Sequence, residues 1–434
     1  MDWKQHYKSR CVDGLSAVRK INSGDRVVVG HAVGEPSYLL SVMVQNREQY
    51  RDVEIVHMVC MGKGEYCLPG MEPYFRHNSL FIGGTARDAA FEGRADYTPV
   101  YFSEIPSLFT GGKLPVDVAL IHVSPPDHTG HCSMGVSVDY TLAAAECAKT
   151  VIAQVNPQMP RTLGESFIHV SNIDWFVEKD EPIIELSPLP ASETEQGIAQ
   201  HCAELIEDGS TLQLGIGSLP DAVLNCILNK KDLGIHSELV SDGVANLVEM
   251  GVINCSRKTL FKGKIVASFL MGTKKLYEFA HDNPMIHMAP VDWVNDPYII
   301  RQNEKMVSIN SCVQVDLMGQ VCSESIGLKQ ISAVGGQVDF VRGANMSKGG
   351  KSIIAMPSTI GNGKISKVVP FLDPGAAVTT SRTDVSYIVT EYGIASLKGK
   401  TLRQRAQELI SIAHPQFRPM LAEEYERRFR RSYP

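Results

Sequence analysis

A carboxylate set where a strand gives way to a helix can attack an activated carbonyl, and Glu238 occupies such a place. The stretch Gly234-Ile-His-Ser-Glu238-Leu-Val-Ser-Asp-Gly243 reads as a short strand that breaks at Ser241-Asp242-Gly243, and Val244-Ala-Asn-Leu-Val-Glu-Met-Gly251 continues as a helix. Ser241 or Asp242 can cap that helix through a side-chain oxygen, and Gly251 stands where a left-handed end is expected. Val244, Leu247 and Val248 share one helical face. Glu238 thus falls near the carboxyl end of a strand, where α/β proteins gather their sites. An exposed glutamate, with an unperturbed pKa of about 4.3, is ionised at neutral pH. As a weak base it is a modest nucleophile, adequate for a thioester and inadequate for an amide. On residue type alone Glu238 is either that nucleophile or a solvated surface carboxylate.

Attack on a thioester needs donors facing the developing oxyanion. Gln213-Leu214-Gly215-Ile216-Gly217-Ser218-Leu-Pro220 follows a strand and precedes a helix, so its backbone N–H groups can point at an anion or oxyanion. It lacks the third glycine of a dinucleotide fingerprint and the lysine of a P-loop, so it is either a ligand-contacting loop or a tight strand-to-helix turn. It can serve Glu238 if its strand lies beside that of Glu238, as sequential strands often do. A second glycine turn, Val334-Gly335-Gly336-Gln337, precedes a possible helix and is either a place of close ligand approach or a flexible loop. His31 and Glu35, at the first strand end, either bind a carboxylate or decorate the surface.

Other chemistries fit less well. His128-Thr-Gly-His131-Cys132 offers metal-ligand residue types, but on a Pro- and Gly-rich loop with no helical face and no second cluster, so no metal is expected. A serine-hydrolase elbow of the Gly-x-Ser-x-Gly type is missing from the chain. No carboxylate spacing suggests a glycosidase pair.

The elements that must hold these residues are written twice. A helical run, Ser23-Gly24-Asp25 and the strand Arg26-Val-Val-Val-Gly30 are echoed by a helical run, Asp208-Gly209-Ser210 and Thr211-Leu-Gln-Leu-Gly215, with the same spacing between the glycines. Each strand opens into a proline-bearing loop and a helix, Ser37 to Val44 and Asp221 to Leu228. Pro115 to Val123 is matched with Cys312 to Met318, and Ala148 to Val155 with Gly350 to Pro357. Continuous apolar strands between helices predict a buried, largely parallel sheet in each half. The expectation is two similar open-sheet α/β domains, residues 1–188 and 189–434, joined near the Pro/Ser-rich Leu186-Ser-Pro-Leu-Pro-Ala-Ser192.

A length of 434 residues favours two domains, and 44% hydrophobic with 21% charged residues is ordinary for a globular chain. The net charge of −6, with dispersed basic residues, gives no nucleic-acid surface. The run Glu423 to Arg431 alternates in sign and reads as a solvated terminal helix. No stretch is long and apolar enough to span a bilayer, and the start has no signal-peptide core, so the mature chain is expected to begin at Met1. The ten cysteines are scattered without a Cys-x-x-Cys pair, as expected of reduced thiols in a cytoplasmic protein.

The same residues resemble the acetyl-CoA hydrolase/transferase family, and within it the branch that moves CoA to 4-hydroxybutyrate, butyrate or acetate. The resemblance runs over nearly the whole chain: Gly30-His-Ala-Val-Gly-Glu-Pro36, Val123-Ser-Pro-Pro-Asp-His-Thr-Gly130, Thr211-Leu-Gln-Leu-Gly-Ile-Gly217, Ile235-His-Ser-Glu-Leu-Val-Ser-Asp-Gly243, Gly335-Gly-Gln-Val-Asp-Phe-Val-Arg-Gly343, Val389-Thr-Glu-Tyr-Gly-Ile-Ala395 and Ile412-Ala-His-Pro-Gln-Phe417. It implies paired CoA-transferase domains with an active-site cleft between them, a homodimer or dimer of dimers, and no permanently bound cofactor, with coenzyme A as a substrate. It also implies ping-pong transfer through a glutamyl-CoA thioester on Glu238. Gln213, Leu214, Gly215, Ile216 and Gly217, with Gly335 and Gly336, are then expected to face CoA, and His31 the acyl side. The chain departs from the pattern at Val33, where relatives carry cysteine, and at Ser218, where alanine or glycine is common. Ser218 is expected to tune acyl choice. The competing expectations are an acyl-CoA hydrolase on the same scaffold and a non-catalytic CoA-binding protein.

Overall fold

Runs such as Arg26-Val-Val-Val29 are apolar on both faces, so they are stable only in the middle of a sheet that is covered on both sides. The computed structural model describes residues 2–434 and uses them that way. In the first unit the strands lie in the order Ala95–Tyr97, Phe75–Ser79, Val53–His57, Arg26–Val29, Val118–Val123, Thr150–Val155, Trp175–Glu178. Every pairing is parallel, with Val27 opposite both Ile55 and Val118. The core beneath it gathers Leu39, Met43, Tyr50, Ile55 and Phe75. Burying each such side chain stabilises the fold by about 1.5–3 kcal/mol.

The second unit repeats this plan. Its sheet runs Gly234–Ile235, Thr211–Leu214, Met306–Ser311, Lys351–Ala355, Tyr387–Thr390, Gly393–Ser396. All pairings are parallel except the last, an antiparallel edge. The five strands from Val53–His57 to Trp175–Glu178 and the five from Gly234–Ile235 to Tyr387–Thr390 follow one another in the same way, so two similar α/β domains with parallel sheets are present. Thr150–Val155 and Lys351–Ala355 are counterparts, as the repeat predicts. The match of Pro115–Val123 to Cys312–Met318 is corrected: the counterpart of Val118–Val123 is Met306–Ser311. Gln314–Asp316 sits instead in a small separate sheet with Val321–Cys322 and Val368–Val369.

A single cut between residues 188 and 189 does not describe the packing. The main passage is at Ser187/Pro188, but Glu238–Asp242 and Ile265–Val294 pack with the first unit, whereas Pro188–Ser237, Gly243–Lys264 and Asn295–Pro434 make up the second. The cause is pairing at long range: Leu239–Val240 lies parallel to Phe269–Leu270, the Leu270 N–H donates to the Val136 carbonyl, and the Val138 N–H donates to that of Ser268.

Local signals hold at the helices. Ser192 and Glu195 form a capping box on the Glu193–Glu204 helix, and Gly251 takes a φ of 76° after the Asp242–Glu249 helix. The terminal Arg418–Phe429 helix is amphipathic and not merely solvated, since Leu421 and Tyr425 enter the second core. Among the described residues no helix is long and apolar enough to cross a membrane. All ten cysteines are free.

Candidate active site

Of the expected site residues, Glu238 and His31 belong to the first unit; Gln213 to Ser218, Gly335 and Gly336 belong to the second. The strand expected to run through Glu238 stops earlier. Gly234–Ile235 is one strand and Leu239–Val240 another, with Ser237 and Glu238 in the irregular step between them, where the chain passes from one unit to the other. Glu238 is half-buried. Its carbonyl accepts from the N–H groups of Ser268 and Phe269, both at 2.9 Å, so its backbone is fixed to the Phe269–Leu270 strand.

His31 meets the same strand from the other side of the first unit. Its ring lies 4.7 Å from that of Phe269, with Phe102 at 5.4 Å and Tyr140 at 5.7 Å. His31 is 1% exposed and Glu35 2%, so neither decorates the surface. The Nδ1 of His31 is 3.1 Å from Asp139 Oδ2. Asp139 had no local signal in the sequence: it lies 108 residues away from His31 and becomes its partner only through the fold.

In the second unit the strand leading to the glycine loop lies beside the strand that ends at Ile235, ahead of Glu238. Thr211–Leu214 pairs with Gly234–Ile235, the His236 N–H donates to the Leu212 carbonyl, and Ser237 Oγ donates to the Leu214 carbonyl at 3.3 Å. The residue before Glu238 and the residue before Gly215 are therefore hydrogen-bonded neighbours. Gln213 is buried and exchanges amide hydrogen bonds with Asn310 on the adjacent strand. Gly215 is half-buried, whereas Ile216 and Gly217 are exposed. Gly217 takes φ 112° and ψ 178°, a conformation open to glycine alone, and begins the Ser218–Cys226 helix with no side-chain cap. Ser218 Oγ donates to Glu195 Oε1 at 2.5 Å, which commits the hydroxyl to tying two helices together. Gly335, with φ 54°, and Gly336 are buried ahead of the Gln337–Met346 helix, where Gln337 Nε2 donates to Thr380 Oγ1. Lys258, also buried, donates Nζ to the carbonyls of Ile235 and Lys264, and burial pushes its pKa down to about 8.

A polar cluster that the sequence did not bring together gathers Glu35, after Arg26–Val29, with His57 and Cys60 at and beyond the end of Val53–His57. A Glu35 oxygen, a His57 ring nitrogen and the Cys60 thiol lie within 4.8 Å of one another, all buried. A soft divalent cation accepts such a donor set. Here the carboxylate is already engaged: Glu35 Oε2 accepts from the N–H groups of Met61 and Gly62, and Oε1 from Ser37. Burial raises the pKa of Glu35 and pushes that of the Cys60 thiol up to about 12. Glu35, with Tyr38, Met61, Lys63, Tyr66 and Lys179, lines a cavity of about 630 Å³.

The geometry therefore offers a half-buried glutamate whose backbone is held just ahead of the Leu239–Val240 strand, next in sequence to a serine bonded to the strand of a glycine loop. Comparison with known proteins identifies the family. The family model of the acetyl-CoA hydrolase/transferase N-terminal domain matches residues 1–188, and that of the C-terminal domain matches residues 272–425. The chain is 63% identical over 429 residues to a 4-hydroxybutyrate coenzyme A transferase of Clostridium kluyveri, covering 99% of this chain and 100% of the relative. It is 46% identical over 423 residues to a succinyl-CoA:cyclohexane-1-carboxylate CoA transferase of Geobacter metallireducens, covering 97% and 96%. The crystal structure of a 4-hydroxybutyrate CoA-transferase from Porphyromonas gingivalis superposes with a TM-score of 0.86 at 45% identity, covering 99% of this chain and 100% of that one. The chain belongs to the acetyl-CoA hydrolase/transferase family.

Proposed function

We propose that the protein is an acyl-CoA:carboxylate CoA-transferase acting on short-chain acids such as 4-hydroxybutyrate, butyrate or acetate, with Glu238 as its covalent nucleophile. Full-length identity to CoA-transferases supports the reaction class. The observation that carries the role of Glu238 is the bond from Ser237 to the Leu214 carbonyl, which makes the residues preceding Glu238 and Gly215 neighbours.

In the first half-reaction the Glu238 carboxylate attacks the acyl thioester, giving an acyl-glutamyl anhydride and CoA thiolate. The thiolate attacks the glutamyl carbonyl and the first acid leaves as its carboxylate, so the enzyme holds a glutamyl-CoA thioester. A second carboxylate runs the steps in reverse, taking the CoA and restoring Glu238. Splitting one exchange into two activated displacements is what covalent catalysis offers. The N–H groups of the Gln213–Gly217 loop receive the oxyanion, Gly335 and Gly336 face CoA, and His31 serves the acyl side. Ser218 acts on acyl choice only through the position of its helix, since its hydroxyl is bound to Glu195. Coenzyme A is a substrate and no resident cofactor takes part. The free cysteines support a cytoplasmic address, and a homodimer or dimer of dimers is the assembly.

Incubation with acyl-CoA followed by borohydride, which reduces an enzyme thioester, tests this. Modification at Glu238 with loss of turnover is expected. An unmodified enzyme, or an active Glu238→Ala variant, sinks the mechanism. CoA release with no acceptor acid present points to hydrolysis instead.

A further inference from the structure

We propose that Asp139 is a positioning residue that acts through His31, setting the imidazole so that Nε2 is offered to the carboxylate substrate. The inference rests on the transferase reading above and extends it to a residue that reading leaves out.

Asp139 is fully buried, and both of its oxygens are taken up as acceptors. Oδ1 receives the Tyr140 N–H at 2.7 Å, the Thr141 N–H at 3.3 Å and the Thr141 hydroxyl at 3.2 Å. Oδ2 receives the Ser137 hydroxyl at 2.5 Å and faces His31 Nδ1 at 3.1 Å. With the carboxylate acting only as an acceptor, the proton between Asp139 and His31 sits on Nδ1, which fixes the tautomer. The other ring nitrogen, Nε2, is buried and has no hydrogen-bond partner among the described residues. In a cage of Phe102, Tyr140 and Phe269, an imidazole with a carboxylate on Nδ1 can hold a second proton on Nε2 without becoming an unpaired buried cation. An Nε2–H of that kind donates to a carboxylate, the group common to every acid the enzyme takes.

The pair is anchored to the backbone that holds Glu238. Val138 and Asp139 both direct their N–H groups at the Ser268 carbonyl, at 3.0 and 3.4 Å, and Ser137 is bridged to Phe269. The N–H groups of Ser268 and Phe269 in turn hold the Glu238 carbonyl. One two-residue step therefore carries the nucleophile's backbone on one side and the Asp139–His31 pair on the other. Tight placement of this sort is what a reaction between a bound acid and a fixed nucleophile needs.

The experiment is a double-mutant cycle read in both half-reactions, together with nitrogen-15 spectra of His31 in the unmodified protein. Asp139→Asn keeps the volume but turns an uncharged donor toward Nδ1, so the ring stays neutral and Nε2 offers an N–H without the charge that strengthens it. We expect it to lower kcat/KM for the acceptor acid about 10-fold or more, mainly through KM, while acyl-CoA still labels Glu238. In a His31→Ala background the same change should matter less than about threefold, because its route is gone. An equal loss in both backgrounds makes Asp139 a purely structural residue and overturns the proposal, as does an unaffected Asp139→Asn. Should that variant fail to fold, the spectra decide: with an acid bound, protons on both Nδ1 and Nε2 are expected, and a neutral ring, whichever nitrogen carries its proton, overturns the assignment. Failure to label Glu238 in the unmodified enzyme counts against the transferase reading itself, so the two failures are told apart.

Discussion

Gly217 gives a measure of how much the glycine loop's shape matters. Its φ of 112° with ψ of 178° is a conformation that L side chains rarely adopt, yet an added Cβ would meet no atom within 4 Å. Gly217→Ala therefore introduces backbone strain and no clash. Holding a non-glycine residue there costs of order 1–3 kcal/mol. For a unit of this size each kcal/mol lowers Tm by roughly 2–4 °C, so a fall of about 2–12 °C is expected if the loop keeps its shape. If the loop instead relaxes to negative φ, its N–H groups turn away and the Tm loss shrinks. Losing an oxyanion donor then lowers kcat by about 10²–10³-fold. Gly215→Ala is the control: its φ is outside the left-handed region and its Cβ also finds open space, so stability should change by no more than about 0.5 kcal/mol. A fall in CoA transfer at unchanged Tm in Gly215→Ala marks a ligand that comes close to the backbone. The assay is transfer from butyryl-CoA to acetate beside thermal unfolding. A Gly217→Ala enzyme with wild-type Tm and wild-type turnover refutes the reasoning.

Titration of buried groups yields two further outcomes. Burial pulls Lys258 from 10.5 to about 8, so below pH 10.5 the unfolded chain binds the proton first. Its stability contribution is full above pH 10.5 and is lost as pH falls through 8, a swing of about 3 kcal/mol. Urea unfolding of wild type and Lys258→Met across pH 7–11 should give curves that differ by that slope; parallel curves contradict it. Burial likewise lowers His77 and His122 from 6.5 to about 4, so stability falls as pH drops from 6.5 toward 4 by about 3 kcal/mol for each, and His122→Gln should flatten that loss. In the second sheet, Ile353 is fully buried between Ile309 and Tyr387, and Ile353→Ala should destabilise the protein by about 2–5 kcal/mol in chemical unfolding without moving Glu238 labelling.

The sequence by itself determined what short-range forces decide. Val27-Val-Val29 and Ile353-Ile354 declare buried parallel strands because β-branched runs satisfy no one-sided sheet, and Gly251 declares a helix end because a left-handed cap is made within its own turn. The loop from Gln213 to Gly217 and the neighbouring strand before Glu238 were readable for the same reason: they are consecutive elements of one repeated plan. What tertiary structure alone decided depends on partners distant along the chain. A Val-x-Val alternation suits any strand, so Gln314–Asp316 resembled a central strand, while Met306–Ser311, interrupted by buried Ser308 and by Asn310, is the one in the sheet. The return of Glu238–Asp242 and Ile265–Val294 to the first unit follows from pairing with residues around Val136, more than a hundred positions earlier. In the sequence His31 was either a carboxylate ligand or a surface histidine, and only the enclosure by Asp139 and the rings of Phe102, Tyr140 and Phe269 removed the second reading. Local propensity specifies which segments become strands and helices; only long-range hydrogen bonding and burial decide which carboxylate faces which imidazole.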